Sequence, residues 1–107
     1  MGFENDTWYV RSGDDLVGEI AVDDADFPWL AGRFTPGPAY PAVRDLFARE
    51  LALAERDDGD DDGHWREWET VYEEIGRRVS LSSPDGPVAD FLLHIRGDRA
   101  WFRWREA

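Results

Sequence analysis

From its N-terminal end the chain alternates apolar and polar residues twice before the period changes. Thr7-Trp8-Tyr9-Val10-Arg11-Ser12 puts Trp8 and Val10 on one side, and after Gly13-Asp14-Asp15 the run from Leu16 to Val22 alternates again. This is the signature of a β-hairpin. A loop of three residues would align Trp8 and Val10 with Leu16, Ile20 and Val22, whereas a loop of two would mix core and solvent faces, so the three-residue loop is expected. Residues 23–38 hold Phe27-Pro28-Trp29-Leu30, Phe34 and Pro36-Gly37-Pro38. That density of proline opposes both a helix and a central strand and predicts an apolar loop lying on the sheet.

From Tyr40 the period becomes helical. Tyr40, Val43, Phe47, Leu51 and Ala54 form a stripe, with Pro41 suited to a first turn, which predicts a helix over 40–56. Asp57-Asp58-Gly59-Asp60-Asp61-Asp62-Gly63 interrupts it, and Trp65, Trp68, Val71, Tyr72 and Ile75 restore the spacing over 64–76, where Gly76 ends the second helix. Val79 and Leu81 then alternate with polar neighbours. Ser83-Pro84-Asp85-Gly86-Pro87 makes a turn, Val88 to Ile95 is the strongest strand, and Gly97-Asp98 leads into a last strand, Arg99 to Arg105. The order ββααβββ predicts a single α+β domain over residues 1–107: a mostly antiparallel sheet of about five strands with two helices packed on one face. It contains no βαβ nucleotide-binding unit, and the pattern resembles no family of known activity.

Composition adds a real core and a strong charge. Of the 107 residues 42% are hydrophobic, and six are tryptophan, so the chain should fold rather than remain disordered. There is no cysteine and no run approaching the roughly 20 apolar residues of a membrane-spanning helix. No basic lead into an apolar run suggests a signal peptide either. A soluble, cytoplasmic protein is the expectation. Net charge is −12 but uneven: residues 1–76 carry 20 acids against 6 Arg, and residues 77–107 carry 4 acids against 6 Arg. Such a field repels nucleic-acid phosphates and anionic membranes and favours basic partners or cations.

Few motifs carry chemistry. Asp58, Asp60 and Asp62, followed by Gly63 and then Glu69, satisfy the spacing of an EF-hand calcium loop. Against that reading, Trp65 and Arg66 occupy positions where a small aliphatic and a ligand are needed, and Thr70, Glu73 and Glu74 stand where the following helix should be apolar. His64 with Glu67 supplies two ligands, too few for zinc. Ser80, Ser82 and Ser83 lack a neighbouring base, and no glycine-rich phosphate loop is present. Arg96-Gly97-Asp98 reads as a hairpin turn rather than an adhesion motif.

The last hairpin is the most informative segment. A Gly97-Asp98 turn pairs Arg96 with Arg99, His94 with Trp101 and Leu93 with Phe102. Phe91, Leu93, Ile95, Phe102 and Trp104 then face the core, and His94, Arg96, Arg99, Trp101 and Arg103 share the opposite face with Leu92. Tryptophan among arginines and a histidine is the composition of a protein-binding surface. The expected function is therefore a small acidic, non-enzymatic interaction protein that binds a protein partner, basic in character, in the manner of an inhibitor or immunity protein. No cofactor is expected. The alternatives are a calcium-stabilised domain using Asp58, Asp60, Asp62 and Glu69, and a ligand-binding domain or enzyme using the His94/Trp101 face. So short a chain leaves little to enclose a ligand cavity. A monomer or weak homodimer is expected, with an edge strand as the self-association surface.

Overall fold

The computed structural model of the protein describes residues 6–26, 28–55 and 63–105, without the side chains of residues 63 and 64. Seven strands and two helices follow in the order β1 (Thr7–Ser12), β2 (Asp15–Asp26), β3 (Trp29–Pro36), α1 (Tyr40–Glu55), α2 (Gly63–Arg78), β4 (Ser80–Ser83), β5 (Gly86–Pro87), β6 (Asp90–Arg96) and β7 (Arg99–Arg105). The strands form one sheet in the order β5-β4-β1-β2-β3-β7-β6, with every neighbouring pair antiparallel. The α+β class and the antiparallel sheet are as the sequence predicts. The strand count of about five is corrected to seven.

The main correction is the segment after β2. Instead of a loop, residues 29–36 form β3, placed between β2 and β7. The prolines that argued against a strand sit where they do little harm: Pro28 in the turn before β3 and Pro36 at its last position, where a missing N–H removes no interior ladder bond. Gly32 stands on the inner face, between Leu30 and Phe34, because β2 passes too close for a side chain. A Cβ there would lie 2.1 Å from the Ala21 carbonyl oxygen.

The first hairpin also differs in detail. Ser12 pairs with Asp15, so the turn holds two residues, Gly13 and Asp14, and not the three expected. The parity is restored by a bulge: Val10 faces Gly18 and Arg11 faces Leu16, leaving Val17 as the extra residue. Trp8, Val10, Ile20 and Val22 consequently still share the buried face. A second bulge, between Val22 and Asp24, leaves Asp23 unpaired in the ladder.

Bulges increase twist, and the sheet curls strongly. β1 and β7 are separated by β2 and β3, a spacing of about 14 Å in a flat sheet. Yet the Trp8 ring lies 4.7 Å from Phe102 and 4.9 Å from Trp104, centroid to centroid. The helices fill the concave side. Val43, Phe47 and Leu53 of α1 and Val71 and Ile75 of α2 join Trp8, Ile20, Leu30, Phe34, Leu93 and Phe102 in one core.

Both sheet edges are blunted. β5 is two residues long and contains Pro87. At the β6 edge the Tyr72 hydroxyl donates to the Phe91 carbonyl at 2.7 Å and accepts the Leu93 N–H at 2.9 Å. Two of the polar groups along this edge thus have a partner within the fold, which blunts it as a template for another strand.

Candidate functional site

The register of β3, β7 and β6 arranges the outer face of the sheet in rows. Arg96 pairs with Arg99, Ile95 with Ala100, His94 with Trp101 and Leu93 with Phe102, as the Gly97-Asp98 turn predicts. Phe102 is fully buried and Trp101 is half-buried on the other face. Across β7, Ala31 lies opposite Trp101 and Arg33 opposite Arg99. One row thus reads Arg33, Arg99, Arg96, and the next reads Ala31, Trp101, His94. In the third, Arg103 faces Leu92, and Trp29 comes alongside from the start of β3.

The side chains in these rows touch. Trp29 stacks on the His94 ring at 5.8 Å, and Trp101 meets the same ring at 5.4 Å. The Arg103 guanidinium lies 5.9 Å from the centre of the Trp29 ring and that of Arg96 5.8 Å from Trp101, both within cation–π range. His94, Arg96, Arg99, Trp101 and Arg103 are therefore all on one continuous surface. The 23–38 segment, expected as a loop lying on the sheet, instead supplies a strand that widens this surface and adds Trp29 and Arg33.

Against the His94 ring lies an unexpected carboxylate from α1. Glu50 of α1 is fully buried; its Oε1 lies 2.9 Å from His94 Nδ1, and its Oε2 accepts the Trp68 indole N–H at 2.8 Å. The His94 side chain is itself only 12% exposed. The contact fixes the orientation of the ring, and with an ionised carboxylate, which can only accept, Nδ1 is the nitrogen that carries the hydrogen. Trp68 in turn stacks on Tyr72, which holds the β6 edge. Glu50 lay hidden in the sequence although its spacing was telling: it falls three residues after Phe47 and four before Ala54, on the apolar stripe.

The ion pairs around the arginine row come from outside it. Asp23, pushed out by its bulge, binds Arg99 through both oxygens at 2.6 and 3.0 Å, and Glu55 pairs with Arg96. The Arg99 hydrogen bonds hold the Asp23 carboxyl below its ordinary range and raise Arg99. Among the described residues, Arg33 and Arg103 have no carboxylate within 4.0 Å.

A hollow of about 130 Å³ lies at the strand ends between Asp90, Leu92 and Arg103, and a groove of about 490 Å³ runs between α1 and the β6–β7 turn past Tyr40, Leu51 and Ile95. Neither is lined by His94 or Trp101. Of the calcium-loop candidates, Asp58, Asp60 and Asp62 lie outside the described residues, as does the His64 side chain of the proposed His64–Glu67 pair. Glu69 is exposed on α2. Among the described residues no cluster of three or more His, Asp or Glu could hold a metal ion, and no helix is long and apolar enough to cross a membrane. No family model matches the chain, and no curated protein or solved structure is significantly similar to it.

Proposed function

We propose that the protein is a non-enzymatic interaction module that binds a protein partner through the outer face of β3, β7 and β6, as an inhibitor or immunity-type protein would. The observation that carries this reading is the Trp29–His94–Trp101 cluster, aromatic and half-buried on a sheet face, with His94 held by the buried Glu50 of α1. A large rigid ring held in place loses little conformational freedom on binding, and tryptophan with arginine is the pairing that dominates interface energetics. Acidity elsewhere would speed the approach of a basic partner.

The test is affinity capture from the source cells, quantified for the wild-type protein, Trp101→Ala and Trp65→Ala. Trp65 is exposed on α2, an element outside the three strands of the proposed face. A partner held by wild type and Trp65→Ala but weakened by about 2 kcal/mol or more in Trp101→Ala, with unchanged melting behaviour, supports the reading. Identical capture by all three would refute it.

A further inference from the structure

Trp68, Glu50 and His94 form a hydrogen-bonded relay from α2 through α1 to β6. An indole N–H can only donate, so Trp68 commits one Glu50 oxygen as its acceptor at 2.8 Å, and the other oxygen lies 2.9 Å from His94 Nδ1. Facing an ionised carboxylate, Nδ1 holds the hydrogen, and Nε2 of the neutral ring is left with a lone pair. That second nitrogen has no hydrogen-bond partner among the described residues. Nor is it sealed off. Among the described residues the Trp8 indole nitrogen is the one side-chain nitrogen or oxygen that is buried without a partner, so solvent reaches Nε2 through the 12% of the His94 side chain that is exposed.

The charges around this ring are matched in sign. Arg96 pairs with Glu55, and Arg99 pairs with Asp23 and is also acted on by Asp24 and Asp98. The register sets Asp24 beside Ala31 and Asp26 beside Trp29, the ring over which Arg103 lies. Such a balance favours an ion of neither sign and leaves the polarity of the centre to one atom. Resting on the protein-binding reading above, we infer that His94 Nε2 is a fixed hydrogen-bond acceptor on this face, with Glu50 as the positioning residue that makes it one. The partner seats an uncharged O–H or N–H donor on it and apolar groups against Trp29 and Trp101. A carboxylate brings no hydrogen to an acceptor and is the wrong class. Glu50→Gln exposes the device. Trp68 still requires an oxygen, so the Gln amide must turn its NH₂ toward His94; Nδ1 then has to accept, and the hydrogen moves to Nε2. The acceptor becomes a donor with almost no change in shape.

The experiment uses the full chain labelled with ¹⁵N, in which proton–nitrogen correlations of the His94 ring show which nitrogen is protonated. Wild type should carry the hydrogen on Nδ1 alone and Glu50→Gln on Nε2 alone. A wild-type ring protonated on Nε2, alone or together with Nδ1, or an unchanged pattern in Glu50→Gln, would overturn the inference. The partner's chemistry is tested with phenol, which carries a donor, with anisole, a similar ring without one, and with benzoate. Each is titrated to about 10 mM, a range that detects weak contacts, while His94 Nε2 and the Trp101 indole are followed. Phenol should bind wild type about five-fold or more tighter than anisole or benzoate, the worth of one hydrogen bond, and Glu50→Gln should cancel that preference. Equal binding of the three, or none, counts against the acceptor. If Glu50→Gln does not fold, the wild-type ring and the phenol–anisole difference decide alone. In affinity capture, a partner lost by Trp101→Ala and weakened about five-fold or more in folded Glu50→Gln supports the inference. If Trp101→Ala loses it and Glu50→Gln holds it fully, the acceptor is wrong and the binding face stands. If Trp101→Ala captures normally, both fall.

Discussion

Among the described residues Glu50 is the one charged side chain with no exposure, and removing a carboxylate from water costs several kcal/mol unless donors replace the solvent. Trp68 and His94 supply them, and in return the imidazole is held rigidly under two indoles. One position along β7 changes everything about a side chain: Phe102 fills the core between Trp8 and Trp104, whereas Trp101 lies on the outer face. Phe102→Ala should therefore cost about 3–5 kcal/mol, from lost transfer energy and the cavity left behind. Trp101→Ala should cost much less. Urea denaturation of the two variants checks this; comparable losses would mean that Trp101 is structural and not held for binding.

At the scale of elements, α2 does more than cover the core. Its Tyr72 closes the β6 edge through both a donated and an accepted bond. Burial is the main cause that raises the Tyr72 hydroxyl well above its ordinary value of 10.0; the Leu93 N–H opposes the shift and the Glu50 charge adds to it. The folded state thus keeps the proton where the unfolded chain releases it. This contribution to stability is fully present below about pH 10 and falls as pH rises beyond it. Tyr72→Phe should lose about 1–3 kcal/mol at neutral pH by leaving two edge groups without their partner, and should flatten the alkaline decline. It should also raise self-association by uncovering the edge. Thermal melts at neutral and alkaline pH, with sedimentation of both proteins, measure these effects, and an unchanged variant would show that the edge needs no cap.

For the whole molecule, charge and aromatic surface are divided between places. The acids dominate the first three quarters of the sequence, and the tertiary fold sets Arg33, Arg96, Arg99 and Arg103 on one sheet face with Asp24 and Asp26 of β2 at its side. The acidic segment after α1 contains Asp58, Asp60 and Asp62, and α2 then buries Val71 and Ile75 while Glu69, Thr70 and Glu73 are exposed. An EF-hand needs the opposite helix orientation, so equal melting temperatures are expected in about 5 mM Ca²⁺ and in chelator. A rise that follows the logarithm of the Ca²⁺ concentration would show a site after all.

Local periodicity was enough to read α1, α2, the hairpin of β6 and β7 and the separation of Phe102 from Trp101, because spacing of 3.6 or 2 residues is a property of the chain itself. The same rule placed His94, Arg96, Arg99, Trp101 and Arg103 on one face. It failed for β3, because proline and glycine weaken strand preference locally, and only pairing with β2 and β7 shows that Pro28 and Pro36 fall at its ends and that Gly32 makes room for β2. It failed also for the first turn, where a two-residue turn with a bulge gives the same parity as the three-residue loop expected. The contacts of Glu50 with His94 and Trp68, Tyr72 with the β6 edge, and Trp29 with His94 join residues 18 to 65 positions apart. No local pattern encodes them; they arise when the sheet curls and the helices settle against it, which sets the distances across which these groups meet.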